Sequence, residues 1–474
     1  MVESVSVPSD AASAAATGAE LVANTVVPWR AGLRYGALGL PLAFVALPLY
    51  VLLPLHYADR YGVSLAALGL LLLAARAFDA VVDPLLGRWA DRLLTAGPLA
   101  AWAVLGGAAV VLALGFVALF FPLVRGESAL LVWCGVGLLV TYLAYSTASI
   151  VHQAWGARLG GGDAAQARWV SWREGSALVG VMVASVLPSL AGLGWTAAML
   201  AALLLIAWWM LGGAPHVGAM RAVAPSATST PASPPTIMPM HAPTAASIPT
   251  LIPAPIPAPI AASIWAPWSL PAFRRLIGVY MLNGIASAVP ATLVLFFVRD
   301  RLQSPAWEGA FLAAYFAAGA LSLPAWVRVI SAWGLIRSWA AGMVLAVLTF
   351  AGAWSLGAGD VAGFMLVCLA SGLALGADLA VPGALLAGVV RRSGSGGRAE
   401  GACFGWWNGA TKLNLALSAG LVLPALEWAG YRPGSTDSEG LLALSLAYAV
   451  LPCVLKLLAG LVLWRSAPVI AAGS

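Results

Sequence analysis

The sequence predicts an all-α membrane protein: twelve transmembrane helices in two six-helix bundles joined by a central linker. Three observations predict it. Of 474 residues, 61% are hydrophobic and only 9% charged, whereas a soluble domain carries roughly 25% charged residues. Apolar runs recur that reach the ~20 residues a helix needs to cross a bilayer. These runs are continuous rather than alternating, which excludes a membrane β-barrel. In lipid every backbone polar group must be satisfied internally, so helices are what remains.

Residues 1–28 are rich in Ala, Ser and Val and lack a basic stretch ahead of an apolar core. They read as a disordered cytoplasmic tail rather than a signal peptide. Helices are expected near 30–56, 62–88, 97–122, 128–158, 166–191 and 194–213, the first bundle occupying 29–215. Residues 216–268 contain SATSTPASPPTIMPM and IPTLIPAPIPAPI, with no charge between Arg221 and Arg274. Prolines at this density cannot sustain a helix, so the stretch reads as a Pro/Ala linker, partly polyproline II, on the cytoplasmic side. The second bundle, 269–474, has helices expected near 270–298, 306–330, 335–357, 360–390, 398–429 and 440–465.

Arginine placement supports this count. With both termini inside, the outer loops hold Arg60, Arg125, Arg299, Arg301 and Arg432; sixteen other arginines fall on inner segments, and Arg76 lies within a span. That asymmetry is the positive-inside signal of a bacterial-type inner membrane protein. The net charge of +6 is therefore a topology signal, and no nucleic-acid partner is implied. The four cysteines lack metal or redox spacing. Neither a nucleotide loop nor a cofactor motif occurs, so no cofactor is expected and energy would come from an ion gradient.

A charge at the centre of a spanning helix costs roughly 2.5–3.5 kcal/mol and marks function by default. The second helix carries Arg76-Ala-Phe-Asp79-Ala-Val-Val-Asp83-Pro84. Asp79 and Asp83 share a face with Arg76. Two carboxylates at this spacing repel unless a cation or proton lies between them; the plainer alternative is an ion-pair knot with Arg76. Ser146 joins them as a candidate cation-site residue. Both lysines of the chain, Lys412 and Lys456, are intramembrane. Lys412, in Trp406-Trp407-Asn408-Gly-Ala-Thr411-Lys412, is far from either end of its helix and is expected to answer the carboxylates across a central cavity. Lys456 is expected along the bundle edge. Asp378 lies one turn before Pro382, where a broken helix near the midplane would serve a transporter; local pairing on a kinked helix is the alternative. Tyr145, Ser149, His152, Trp155, Asn283 and Trp407 are further cavity candidates. Gly87 with Asp91 and Arg92 closes the second helix and reads as a structural latch.

These residues resemble the glycoside–pentoside–hexuronide:cation symporters of the major facilitator superfamily, typified by the melibiose permease. Asp79-x-x-x-Asp83-Pro84-x-x-Gly87 resembles the family's second-helix motif; Tyr35-Gly36, Ala154-Trp155-Gly156-Ala157-Arg158 and Trp172-Arg173 resemble further segments, and Lys412 falls at its eleventh-helix lysine. The resemblance implies that Asp79 and Asp83 hold the coupling cation, that Lys412 is a cavity lysine, and that Arg76 and Arg173 are basic partners. Val82 stands where the family's sodium site often has Asn, which favours protons over sodium. Ala43 and the Ala148–Ser149 position stand where the sugar permease has carboxylates. The resulting expectation is a monomeric secondary transporter of a small solute, proton- or sodium-coupled, resident in the lipid bilayer. A lysolipid carrier and a non-transporting sensor or scaffold are the competing readings. What discriminates them is whether Asp79, Asp83 and Lys412 face one water-accessible cavity.

Overall fold

The computed structural model describes residues 27–215, 263–393, 399–432, 434 and 437–472. Most of the expected tail and linker (1–26 and 216–262) lies outside the described residues. Among the described residues twelve helical segments follow in order. The first, α1, is built from Trp29–Gly36, Gly39–Leu47, a π turn at Pro48–Leu52, and Leu53–Tyr61. Then come α2 (Leu65–Ala96), α3 (Pro98–Phe120) and α4 (Glu127–Arg158). Next are α5 (Asp163–Pro188) and α6 (Leu190–Gly212), with a kink in the first turn of α6 at Gly192, whose φ of 80° a side chain would resist. The second half runs α7 (Pro271–Arg301), α8 (Glu308–Trp333), α9 (Leu335–Ala353), α10 (Val361–Arg392), α11 (Glu400–Trp428) and α12 (Ser438–Ala471). Among the described residues, ten helices, α3 to α12, are long and apolar enough to cross a membrane by length and composition. Large apolar side chains such as Leu70, Leu114, Leu190, Leu321 and Trp464 face outward, as a lipid-facing surface requires.

Small residues let these helices approach closely, the usual device where lipid removes any hydrophobic drive between helices. On α1 and α5, a Cβ on Gly36 or Gly39 would strike the Trp172 or Arg173 backbone, and one on Gly180 the Leu40 backbone. Within the first half α2 and α3 also pack on α4, and α3 on α6, where Trp102 and Trp208 stack at 4.1 Å and exchange indole-to-carbonyl hydrogen bonds. In the second half α8 and α9 pack on α10, and α7 and α9 on α12. The halves meet through α2 against α11 and through α5 against α8 and α10.

The two ends of the molecule differ. At the end bearing Arg88, Arg92, Arg158, Arg274, Arg391 and Arg392, one apolar core runs through both halves, from Ala90 and Leu159 to Phe273, Ile330, Val390 and Phe404. At the other end the second half keeps a separate core around Val289, Phe297, Phe364 and Tyr448. There Tyr431 and Gly434 in the α11–α12 loop donate to the Asp300 carboxylate, tying that loop to α7. Burial raises the Tyr431 phenol above its usual range, and the bond to Asp300 adds to the rise. Ahead of α7, residues expected to belong to the linker are folded: Ala266–Ser269 forms a 3-10 turn, and Trp265 and Trp268 pack on Trp406.

Candidate functional site

The register of α2 against α11 fixes the site. Added Cβ atoms place Gly87 against Gly401, Gly405 against the Asp83–Pro84 backbone, and Gly409 against the Ala80 carbonyl. The helices are therefore antiparallel and nearly in backbone contact. Extending the register puts Lys412 level with the turn at Arg76 and Asp79. Helical side chains tilt toward the N-terminus of their own helix, so Lys412 leans back toward the carboxylates, and these lean toward it.

The outcome is a closed four-residue cluster. Lys412 Nζ lies 2.5 Å from Asp79 Oδ2 and 2.7 Å from Asp83 Oδ2. It also donates to Ser146 Oγ at 2.8 Å, and Ser146 donates onward to Asp79 Oδ1 at 2.7 Å. Asp79, Asp83 and Ser146 are buried. The Asp83 contact is an ion pair at hydrogen-bond distance but less well aligned than the bonds around Ser146. Two buried carboxylates thus face one ammonium, with Arg76 one turn before Asp79 on the same helix.

Beside this cluster lies a cavity of about 320 Å³ between the halves. Of the residues expected to line it, Tyr145, Ser149, His152, Arg173, Asp378 and Trp407 do. Ser149 is one turn from Ser146 on α4, and Asn408 one turn from Lys412 on α11. Gln153 joins them: its Nε2 donates to Ser149 Oγ at 2.8 Å and to Asn408 Oδ1 at 3.1 Å, bridging the halves. Arg173 is held by Glu174 through two hydrogen bonds, at 3.0 and 2.5 Å. His152 is fully buried; its Nε2 pairs with the Tyr35 carbonyl at 2.8 Å while the Tyr35 hydroxyl donates to the His152 carbonyl. Across the cavity Tyr280 stacks on Trp407 at 3.7 Å and shares a hydrogen bond with Thr411.

Several expected residues stand elsewhere. Lys412 is not among the cavity-lining residues, because its ammonium withdraws onto the carboxylates. Asp79, Asp83 and Lys412 thus share one site, and none of the three is among the residues that line the cavity. Arg76 is half-buried on α2 and also lies off the cavity wall. Trp155 turns away and donates to the Pro215 carbonyl at 3.1 Å. Asn283 serves a polar cluster inside the second half, where Lys456 is also found: buried rather than along the bundle edge, and 2.8 Å from Asp378. The α10 helix passes Pro382 unbroken, so a discontinuous helix there is not present.

The latch is also rearranged. Asp91 accepts from the Gly401 and Ala402 amides at 2.7 and 2.9 Å, capping the N-terminus of α11 from the other half, where a negative charge meets the helix dipole. Its basic partner is Arg158, at 3.0 Å, which also lies 3.4 Å from Glu400. Arg92, the expected member, is exposed at the surface of that end. Arg391 and Asp163 add a second inter-half contact at the same end, 3.7 Å apart. Sequence reasoning missed Gln153, Glu174, Tyr280 and Glu400; the turn spacing of Gln153 from Ser149 was the available signal.

A family model described as MFS/sugar transport protein matches residues 34–232 and 267–469. The chain belongs to this family. It is thus an integral multi-pass membrane protein with the fold and family of major facilitator superfamily transporters. Solved structures of that fold superpose over nearly their whole length. A bacterial homologue of the iron transporter ferroportin, in an outward-facing state, is 16% identical, covering 93% of this chain and 99% of that one, with a TM-score of 0.62. The human organic anion transporter MFSD10 is 18% identical over 92% and 99%, with a TM-score of 0.61. The proton:xylose symporter XylE is 12% identical over 92% and 94%, with a TM-score of 0.56. At such identities the likeness is one of fold alone. No curated protein matches the chain.

Proposed function

We propose that this MFS-family chain is a cation-coupled symporter of a small, uncharged polar solute, with protons favoured over sodium as the coupling ion. One observation carries the proposal: Lys412, from one half, lies between Asp79 and Asp83 of the other at 2.5 and 2.7 Å. With both carboxylates ionised, Asp79, Asp83 and Lys412 together would be one positive charge short of neutral, which a single proton or monovalent cation would supply. Such a cation competes with Lys412 for the same oxygens. Its arrival frees the α2–α11 contact, and its departure restores it, which links cation occupancy to the approach of the halves.

The halves, 29–215 and 269–474, would rock about the central cavity. Topology from the arginines makes the Arg-rich end cytoplasmic. The Asp91–Arg158–Glu400 contacts then close the cell interior, leaving the cavity to be loaded from outside. Cavity walls of Tyr145, Ser149, Gln153, Asn408 and Thr411 suit hydroxyl-bearing solutes, and the sugar solutes named for XylE and for the fucose:proton symporter FucP of E. coli belong to that class. An amphiphile carrier calls for apolar walls instead.

The test is Asp83→Asn in proteoliposomes. Gradient-driven solute accumulation is expected to vanish while solute exchange persists, because Asn keeps the shape and removes the titrating charge. Accumulation at the wild-type level would overturn the coupling site.

A further inference from the structure

A second buried charge pair lies in the second half, outside the coupling cluster. Asp378 Oδ1 accepts from Asn283 Nδ2 at 3.0 Å and Trp339 Nε1 at 2.9 Å. Its Oδ2 accepts from Lys456 Nζ at 2.8 Å and from Ser287 at 3.3 Å. Lys456 spends its remaining donors on Asn283 Oδ1 at 2.9 Å and Ser287 Oγ at 3.0 Å. We propose that Asp378 is the carboxylate that anchors the solute, and that Lys456 is the buried counter-charge that allows a carboxylate to stand ionised at that depth.

The pair is asymmetric in access. The Lys456 side chain is 3% exposed and the Asp378 side chain 15%. Asp378 borders the central cavity and also a second cavity of about 150 Å³ inside the second half. Lys456 borders only the second cavity, so the ammonium is kept from the central one while the carboxylate edge meets whatever fills that space. Among the described residues the other carboxylate on that wall is Glu174, and Arg173 already holds it through two hydrogen bonds. The facing first-half wall at Gly39, Leu42 and Ala43 offers no acceptor side chain.

A carboxylate accepts about four hydrogen bonds, and Asp378 has four donors. The Ser287 contact is the longest, and that hydroxyl also takes a bond from Lys456, so it is the one a solute hydroxyl replaces at least cost. Charge then limits the solute. With Lys456 in place the pair is neutral, so an added organic cation would bring an uncompensated charge into a buried site, which is costly. An uncharged, hydroxyl-rich solute brings donors without that cost. This inference rests on the proposed transport of an uncharged polar solute and assigns its anchor.

The experiment compares wild type, the charge swap Asp378→Lys with Lys456→Asp, and Asp378→Glu, purified in nanodiscs. Each is titrated with D-xylose, L-fucose, melibiose and choline. The swap keeps a neutral buried pair but turns an ammonium to the cavity. It is expected to weaken sugar binding roughly 10- to 100-fold, the loss of a charge-assisted hydrogen bond, while protons released on a pH jump by Asp79 and Asp83 stay unchanged. Asp378→Glu moves the carboxylate by one methylene and is expected to reorder the sugars. Wild-type sugar affinity in the swap, or an unchanged order in Asp378→Glu should the swap not fold, shows a purely structural pair and overturns the anchor alone. Choline bound more tightly than every sugar overturns the charge argument. A wild type that binds none of the four overturns the proposed solute class, and the anchor with it.

Discussion

Ser146 is the smallest member of the coupling cluster and does two jobs there. It takes a hydrogen bond from Lys412 and gives one to Asp79, so it links the ammonium to the carboxylate. Removing a hydrogen bond to a charged group costs about 1.5–3 kcal/mol, roughly a tenfold effect or more. Ser146→Ala is therefore expected to lower coupling-cation affinity about tenfold, read as the proton or sodium concentration giving half-maximal uptake. Solute affinity at saturating cation should hold. An unchanged cation dependence would remove Ser146 from the site. Asp79, Asp83 and Lys412 were legible in the sequence because a charge in an apolar run is conspicuous whatever it touches. Lys456 was equally conspicuous, yet its place was misread, since distance from a helix end says nothing about which face turns inward. Asp378, 78 residues earlier, decides that.

At the scale of the element, α2 and α11 form the hinge-side contact on which closure depends. Gly87 and Gly401 meet backbone to backbone, and an added Cβ on either would overlap the other's carbonyl oxygen. Gly87→Val should therefore wedge the two helices apart at the Arg-rich end, weakening the Asp91 cap on α11. Spin labels at exposed Arg92 on α2 and Arg274 on α7 would read it: the variant's distance distribution shifts to longer values, and uptake falls. A distribution identical to wild type would show that closure does not depend on this crossing. The sequence singled out Gly87 and Asp91 as latch candidates, and both lie where α2 meets α11. It could not disclose Glu400 or Arg158 as their partners, because the α2–α11 register emerges only when both halves are packed. Helix positions were read well from hydropathy. The internal π turn of α1 and the continuity of α10 through Pro382 were not, since hydropathy averages over a turn and is blind to backbone hydrogen bonding.

For the whole molecule, closure and topology combine into a single expectation. The apolar core joins the two halves at the Arg-rich end, where the inter-half contacts of Asp91, Arg158, Glu400, Arg391 and Asp163 also lie. Basic residues flanking spans are retained on the cytoplasmic side, so this closed end should face the cell interior. Cysteine placement makes the idea measurable. The native cysteines Cys134, Cys368 and Cys403 are buried and Cys453 is half-buried, giving a low background for a membrane-impermeant maleimide. A cysteine replacing Arg125, in the α3–α4 loop, or Arg432, in the α11–α12 loop, should react in intact cells. Cysteines replacing Arg92 or Arg274 should react only after permeabilisation. The opposite pattern would invert the chain in the membrane. The described conformation would then be closed outward and loaded from the cytoplasm, and the coupling cluster would serve export rather than uptake.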